Sequence, residues 1–260
     1  MNREYVAVLL EKKIVGKGNA LLTFSGKEIA GKAEPGQFVN ISCRYFLKRP
    51  FGVFAVDTKN NTFTIGVRET GKGTKDILSS RIGDTFLVLG PLGNGFDFTN
   101  VQKIIAVGGG TGIFPLMFAL EKAKSIGIPS IAVNGFRGKE DALLLDDGES
   151  LAGKALFTSD AGDFGIHGNV LHALDTLTKE DMSGAAVFAV GPEIMMKKVS
   201  EWAAERGLSC QVSLERRMAC GIGICLVCVC KVKAEENGIP FTHVRCCKEG
   251  PVMNASEVIW

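Results

Sequence analysis

Cys220-x4-Cys225-x2-Cys228, with a further cysteine pair at Cys246 and Cys247 after 17 and 18 intervening residues, carries the sharpest chemical signal in this chain. The C-x4-C-x2-C…C spacing is that of plant-type [2Fe-2S] clusters, in which four thiolates converge on two irons from one tight loop and one distant strand. Gly221 and Gly223 let the loop curl and turn backbone N–H groups toward the sulfurs, and such hydrogen bonds tune the potential. The competing reading is a structural zinc site, which prefers two C-x2-C knuckles; here only one such pair is present. Spacing alone does not choose between Cys246 and Cys247 as the fourth ligand. Cys230, two residues beyond Cys228, faces the same side of an extended strand and is expected to act as a small buried hydrophobe. Cys43 and Cys210 are isolated and are expected in the core. Six of the eight cysteines fall within 28 residues, a clustering that indicates metal binding rather than disulfides in an intracellular chain.

A second group of residues could hold nucleotides. Gly108-Gly109-Gly110-Thr111-Gly112-Ile113-Phe114-Pro115 follows an apolar run and opens a helical one. Glycines at such a turn let a pyrophosphate approach the backbone at a helix N-terminus. The segment departs from G-x-G-x-x-G, so by itself it also fits a plain strand–helix turn. Gly191-Pro192 after Ala189-Val190 has the same form at a later strand end, and ligands of open parallel sheets bind outside the carboxyl ends of the strands. Nearer the N-terminus, Arg49-Pro50-Phe51-Gly52 precedes a strand, where an Arg can grip a phosphate bidentately, although a solvated Arg beside a turn is the plainer reading of those four residues alone. Arg68-Glu69-Thr70-Gly71-Lys72-Gly73-Thr74 leads into a short helix, whose start would offer free N–H groups at Gly73 and Thr74. His167, His172 and His243 lack ligand spacing and are expected at the surface. No nucleophile–base pattern for hydrolysis is present, and no catalytic acid or base is assigned.

The elements that must position these groups divide the chain in three. Short strands at Tyr5–Leu10, Ala20–Phe24, Phe38–Ser42, Gly52–Asp57, Thr62–Val67 and Thr85–Leu89 predict a small antiparallel barrel over residues 1–98. One helix interrupts it at Thr74–Ser80, and Gly90–Gly95 closes it as a loop. Residues 99–209 alternate between strands (Lys103–Val107, Pro129–Asn134, Ala155–Ser159, Ala185–Val190) and helices (Ile113–Ser125, Gly168–Leu177, Glu193–Arg206). That alternation predicts a parallel sheet covered on both faces. Residues 210–260 form a small cysteine-rich module. The fold class is therefore a multi-domain α+β chain: an antiparallel barrel, an α/β parallel-sheet domain and a C-terminal cluster module.

With 260 residues, 46% hydrophobic and 22% charged, the chain can bury a core and is not expected to be disordered. Thirty basic against 28 acidic residues leave a formal charge of +2, unlike the basic stripe of a nucleic-acid-coating protein. The uncharged run Ile104–Leu120 approaches spanning length, but Gly108, Gly109, Gly110, Gly112 and Pro115 favour a strand, turn and helix, so no membrane segment is expected. Met1–Tyr5 has neither a basic nor an apolar signal region, which makes a cytoplasmic location the expectation.

The order of these parts resembles the ferredoxin–NADP reductase superfamily. Glu215-Arg216-Arg217-Met218-Ala219-Cys220-Gly221-Ile222-Gly223-Ile224-Cys225 and Cys247-Lys248-Glu249-Gly250-Pro251-Val252 look like the electron transfer subunits of dihydroorotate dehydrogenase B. The resemblance covers essentially the whole chain. It implies FAD on the barrel, NAD on the second domain and a [2Fe-2S] cluster in the tail, and it selects Cys247, which directly precedes the Lys-Glu-Gly-Pro stretch, as the ligand with Cys220, Cys225 and Cys228. It implies that Arg49, Gly73 and Thr74 hold FAD phosphates, that Pro50, Phe51, Gly52, Gly66, Val67 and Arg68 line the flavin nucleotide, and that Gly108, Gly109, Gly110, Thr111, Gly112, Gly191 and Pro192 shape the NAD site. It also implies an FMN-containing dihydroorotate dehydrogenase catalytic subunit as partner, in a heterotetramer of two of each, acting in pyrimidine biosynthesis without membrane or nucleic acid. Two positions depart from the superfamily pattern: Gly52 stands where a Ser is usual in the flavin motif, and Ala189 where related reductases often have a Cys. Two other readings compete. One is a flavin and iron–sulfur reductase linking NAD(P)H to ferredoxin or another dehydrogenase; in the similar ferredoxin–NADP oxidoreductase subunits the first cluster ligand is an Asp, whereas here it is Cys220. The other is a zinc-stabilised binding or redox-sensing module without turnover.

Overall fold

The computed structural model describes residues 4–236 and 239–260 of the chain; Met1–Arg3, at the start of the N-terminal stretch considered above, lie outside them. Strands β1 (Glu4–Gly16), β2 (Asn19–Ser25), β3 (Phe38–Ile41), β4 (Arg49–Asp57), β5 (Thr62–Arg68) and β6 (Thr85–Leu92) close into an antiparallel barrel in the order β1-β2-β5-β4-β3-β6. Alternation decides which side chains fill it. Ala20, Leu22 and Phe24 of β2 face inward in register with Val67, Ile65 and Phe63 of β5. The Phe24 ring stacks on Phe63 at 5.5 Å and meets the edge of Phe86 at 5.3 Å, the cross-strand aromatic pairing that stabilises sheets. Helix α1 (Lys27–Ala30) and helix α2 (Lys72–Leu78) lie outside the barrel strands.

Two expected boundaries move. Gly90–Leu92 is strand rather than loop, because β6 continues to pair with Phe38 of β3. Helix α2 starts at Lys72, two residues before the expected Thr74, because the Thr74 hydroxyl accepts the Thr70 and Gly71 N–H groups at 2.9 and 3.1 Å and winds the first turn from within.

The second unit runs β7 (Lys103–Gly109), α3 (Ile113–Ser125), β8 (Ser130–Phe136), α4 (Leu145–Leu151), β9 (Lys154–Ser159), β10 (Ile166–His167), α5 (Val170–Leu174), α6 (Lys179–Met182), β11 (Ala185–Val190), α7 (Glu193–Glu205) and β12 (Ser209–Ser213). The expected helix at Gly168–Leu177 shortens to α5, whose start is fixed by the Asn169 side chain accepting the Leu171 N–H at 3.0 Å. The tail adds β13 (Val229–Glu236), β14 (Ile239–Arg245) and β15 (Val252–Asn254). The sheet order is β10-β9-β8-β7-β11-β12-β15, parallel except for β15. The tail is thus sewn to the sheet through β12 and β15, and β13 pairs with β14 as a separate two-stranded sheet.

Helix α3 ties the first two units together. Phe118 enters the barrel core, while Leu116, Met117 and Leu120 pack under the sheet. A helix apolar on all sides is a helix with neighbours on all sides, and Pro115 is tolerated because it falls in the first turn. Asn94, just past β6, donates its backbone N–H to the Gly250 carbonyl at 2.6 Å and its side-chain amide to the Glu249 carbonyl at 2.9 Å, joining barrel to tail. Among the described residues no helix is long and apolar enough to cross a membrane.

Candidate functional site

The chain order of the sheet reverses between β7 and β11: β8, β9 and β10 lie on one side, β11 and β12 on the other. A crevice opens at such a switch point, outside the carboxyl ends of the strands. Here it is a cavity of about 460 Å³, walled by Gly109, Gly110, Thr111, Gly112, Gly191 and Pro192. The two glycine turns touch. A Cβ on Gly112 would lie 2.1 Å from the Val190 carbonyl oxygen, and one on Gly191 would lie 3.0 Å from the Gly109 nitrogen. Gly110, at φ 54, has nothing within 4 Å of the corresponding point, so its backbone is open to a ligand. Gly108 does not line the cavity; it packs on the Asn134 carboxamide. On the far wall, Asn19 Oδ1 is buried without a hydrogen-bond partner. An orphaned acceptor beside an open glycine backbone fits a polar nucleotide.

A second cavity, of about 380 Å³, lies between barrel, sheet and tail. Arg49, Pro50, Phe51, Gly52, Gly66 and Arg68 form its barrel wall. The Arg49 guanidinium lies over Gly73, where a Cβ would come within 2.2 Å of Nε. The N–H groups of Lys72, Gly73 and Thr74 precede the first intrahelical donor, Lys75. A cation set against the positive end of a helix is unfavourable unless an anion lies between them, so this cradle fits a phosphate. Nη1 of Arg49 is held by the Leu47 carbonyl at 2.5 Å, which leaves the rest of the fork for a ligand. Thr74 contributes backbone rather than hydroxyl, since its hydroxyl is spent on its own helix. Gly52, where a Ser is usual, abuts α3: a Cβ there would press to 3.0 Å from Pro115 Cβ. Gly66 is likewise covered by the Phe114 ring, and the Val67 side chain is fully buried in the barrel core. Ala189 is buried within the sheet.

The two cavities meet. Arg68, Thr111, Gly112 and Glu215 line both. Arg216 is tied to Glu193 at 2.6 Å, which leaves Glu215 without an ionic partner among the described residues. Glu215 is itself exposed at this junction.

The tail cysteines form two sulfur pairs. Cys220 Sγ accepts the N–H groups of Ile224 and Cys225, each at 3.4 Å, and Cys225 Sγ accepts the Cys220 N–H at 3.5 Å. Cys228 Sγ accepts the Cys247 N–H at 3.4 Å. Gly221 and Gly223, at φ 71 and 83, supply the left-handed turns that aim these donors. Burial opposes ionisation of Cys220, yet the N–H groups of Cys225, Ile222 and Ile224 outweigh it and pull the thiol down to about 6. A thiol poised to ionise among N–H donors fits an iron–sulfur ligand. Cys246 points elsewhere: fully buried, it donates its S–H to the Leu214 carbonyl at 3.1 Å. Cys230 is buried beside Met253, as expected, and Cys210 is buried in the sheet core. Cys43 is only half-buried against the barrel core, its thiol turned back to the Tyr45 and Leu47 carbonyls. The three histidines are exposed.

One residue that holds the cluster loop, Arg245, is invisible to spacing arguments. Arg245 Nη1 donates to the Gly223 carbonyl at 2.9 Å while its guanidinium pairs with Glu249, pinning the loop from β14. Ile222, Ile224 and Leu226 are exposed around the sulfurs, Ile224 at 75%. Leu226 takes a left-handed backbone at φ 58.

The cradle makes a direct prediction. Arg49→Ala removes a charge-assisted hydrogen bond, worth about 1.5–3 kcal/mol of ligand binding. FAD retention on gel filtration, followed by absorbance, is expected to fall roughly ten- to hundredfold in affinity while the barrel keeps its thermal transition. Unchanged retention would remove Arg49 from the site.

Comparison with known proteins agrees with this geometry. The family model for the iron–sulfur cluster binding domain of dihydroorotate dehydrogenase B matches residues 215–259. The electron transfer subunit of dihydroorotate dehydrogenase B (NAD(+)) from Caldanaerobacter subterraneus subsp. tengcongensis is 39% identical over 243 residues, covering 92% of each chain. The corresponding subunit of Enterococcus faecalis OG1RF is 35% identical over 99% of this chain and 98% of that one. Among solved structures, an NADH-dependent reduced ferredoxin–NADP oxidoreductase, described in terms of flavin-based electron bifurcation, superposes with a TM-score of 0.87 at 30% identity, covering 98% of this chain and 90% of that one. A ferredoxin reductase of carbazole 1,9a-dioxygenase, at 16% identity and a TM-score of 0.69 over 80% of this chain and 67% of that one, shares the fold.

Proposed function

The chain belongs to the family of electron transfer subunits of NAD-dependent dihydroorotate dehydrogenase B, and from that membership we propose how its residues divide the work. It is an oxidoreductase subunit that uses FAD, a [2Fe-2S] cluster and NAD. When bound, the cluster carries single electrons and the flavin exchanges them for the two-electron hydride that NAD accepts.

The barrel, residues 1–98, holds the flavin: Arg49 and the start of α2 take its phosphates, and Arg68 its nucleotide portion near the junction. Residues 99–209 hold NAD against Gly109–Gly112 and Gly191-Pro192. Residues 210–260 would hold the cluster through Cys220, Cys225, Cys228 and Cys247, a choice that the contacts among their sulfurs and N–H groups support. Arg68, Thr111, Gly112 and Glu215 surround the place where the two cavities meet, where a flavin ring and a nicotinamide ring would come together. That meeting of the cavities is the observation that carries the reading.

The partner is an FMN-containing dihydroorotate dehydrogenase catalytic subunit, in a complex of two of each in the cytoplasm. Exposed Ile222, Ile224 and Leu226 beside the sulfurs fit the partner-facing surface, since apolar side chains gathered at an electron-entry point are otherwise left in water. A second reading, a reductase that feeds a ferredoxin, draws on the likeness to the ferredoxin–NADP oxidoreductase structure.

Cofactor analysis of the purified chain tests this assignment. Visible absorption of both flavin and iron–sulfur character is expected, with iron and acid-labile sulfide each at twice the FAD content. A colourless protein with zinc in place of iron would contradict it.

A further inference from the structure

A polar residue of the barrel, Asn40, reaches the cluster loop. Asn40 of β3 is 1% exposed, and its Oδ1 has no hydrogen-bond partner. Phe38, two residues away on the same strand, and Leu92 of β6 belong to the apolar core that takes in Cys228 and Cys247. An amide in such a layer loses stability relative to a leucine of similar size, so its presence calls for a reason. Its Nδ2 supplies one: a Cβ built on Gly221, the residue after Cys220, would lie 2.0 Å from that nitrogen and 3.4 Å from Leu92 Cδ1. Gly221 is left-handed at φ 71, and the amide packs against its open side. On the other flank, Asn40 stands in register with Pro50 of the Arg49-Pro50-Phe51-Gly52 segment. One side chain therefore touches the support of the cluster and sits on the strand that registers the flavin segment.

We propose that Asn40 is a positioning residue for the iron–sulfur centre: its carboxamide braces Gly221 and turns the positive end of its dipole toward the Cys220 end of the site, raising the centre's reduction potential. The inference rests on the reading of the tail as a cluster-bearing unit. The sign follows from electrostatics. Reduction adds negative charge to the centre, and a nearby N–H dipole stabilises the reduced form more than the oxidised one. Hydrogen bonds and dipoles around the sulfurs are among the main determinants of such potentials.

The test is a redox titration of the full-length chain with its cofactors bound, followed by the electron paramagnetic resonance signal of the reduced cluster. Asn40→Leu keeps the volume and removes the dipole. Its midpoint is expected to move to more negative potential, shifting the electron equilibrium between cluster and flavin about tenfold, ~59 mV for a one-electron couple. Asn40→Ala removes the carboxamide altogether and is expected to move in the same direction; it decides the matter should the leucine variant fail to fold. FAD content serves as the fold control. An intact cluster at the parent potential in both variants, or a positive shift, would overturn the proposal. Loss of the cluster from both with FAD retained would also overturn it, since that is structural support alone. Absence of a cluster from the parent chain would instead fail the reading on which the proposal rests.

Discussion

Cys247→Ser is expected to abolish cluster retention, and Cys246→Ser to leave it intact. The two residues are neighbours in a turn and both are buried, so adjacency and solvent access do not separate them. Nor does acidity: burial, with Cys228 adding to it, pushes the Cys247 thiol up to about 12, and burial with Cys230 and Cys228 nearby does the same to Cys246. Direction separates them. The Cys247 N–H lies on Cys228 Sγ, whereas the Cys246 thiol is turned away and donates to the Leu214 carbonyl. Metal binding supplies the free energy that deprotonates a buried thiol, and it acts on whichever sulfur can reach the iron. Anaerobic iron and sulfide analysis of the two variants reads the outcome directly. A Cys246→Ser chain without iron beside a Cys247→Ser chain with its full complement would transfer the ligand.

The sequence and the structure agree most closely where a pattern is local. Helix Ile113–Ser125 has the bounds that its glycine turn and apolar run imply, and strand Ala185–Val190 the bounds of its six apolar residues. The barrel strands were legible because alternation persists in β2 and β5, where one face fills the core. The pair β13–β14 was not: Lys231 and Lys233 alternate with residues that face a small, partly open sheet, so the apolar period is too weak to read. The cluster ligands and glycine turns were legible because their chemistry demands fixed spacing. Asn40, Arg245 and Glu215 were not, since each meets its site only through packing between distant segments. Gly52 shows the converse: its departure from the expected Ser was visible in the sequence, but Pro115 of α3, the reason a side chain is crowded there, was not.

We propose that this chain carries electrons to NAD and does not itself oxidise dihydroorotate. Each of the two cavities described above is assigned here to a dinucleotide, and the tail is given over to the cysteine loop and the strands that hold it. A dihydroorotate site would need a base within hydrogen-bond reach of the proton it removes, together with groups to grip a carboxylate beside a second flavin, and the flavin and NAD assigned here to the two cavities leave neither of them free for it. The most direct measurement is dihydroorotate-dependent reduction of NAD by the chain purified free of any partner, repeated after addition of the FMN-containing catalytic subunit, with NADH oxidation by an artificial acceptor as the control for an intact flavin site. Acceptor reduction by the chain alone is expected, with no dihydroorotate-dependent NADH until the partner is added. Dihydroorotate-dependent NADH formation by the chain alone would contradict the proposal.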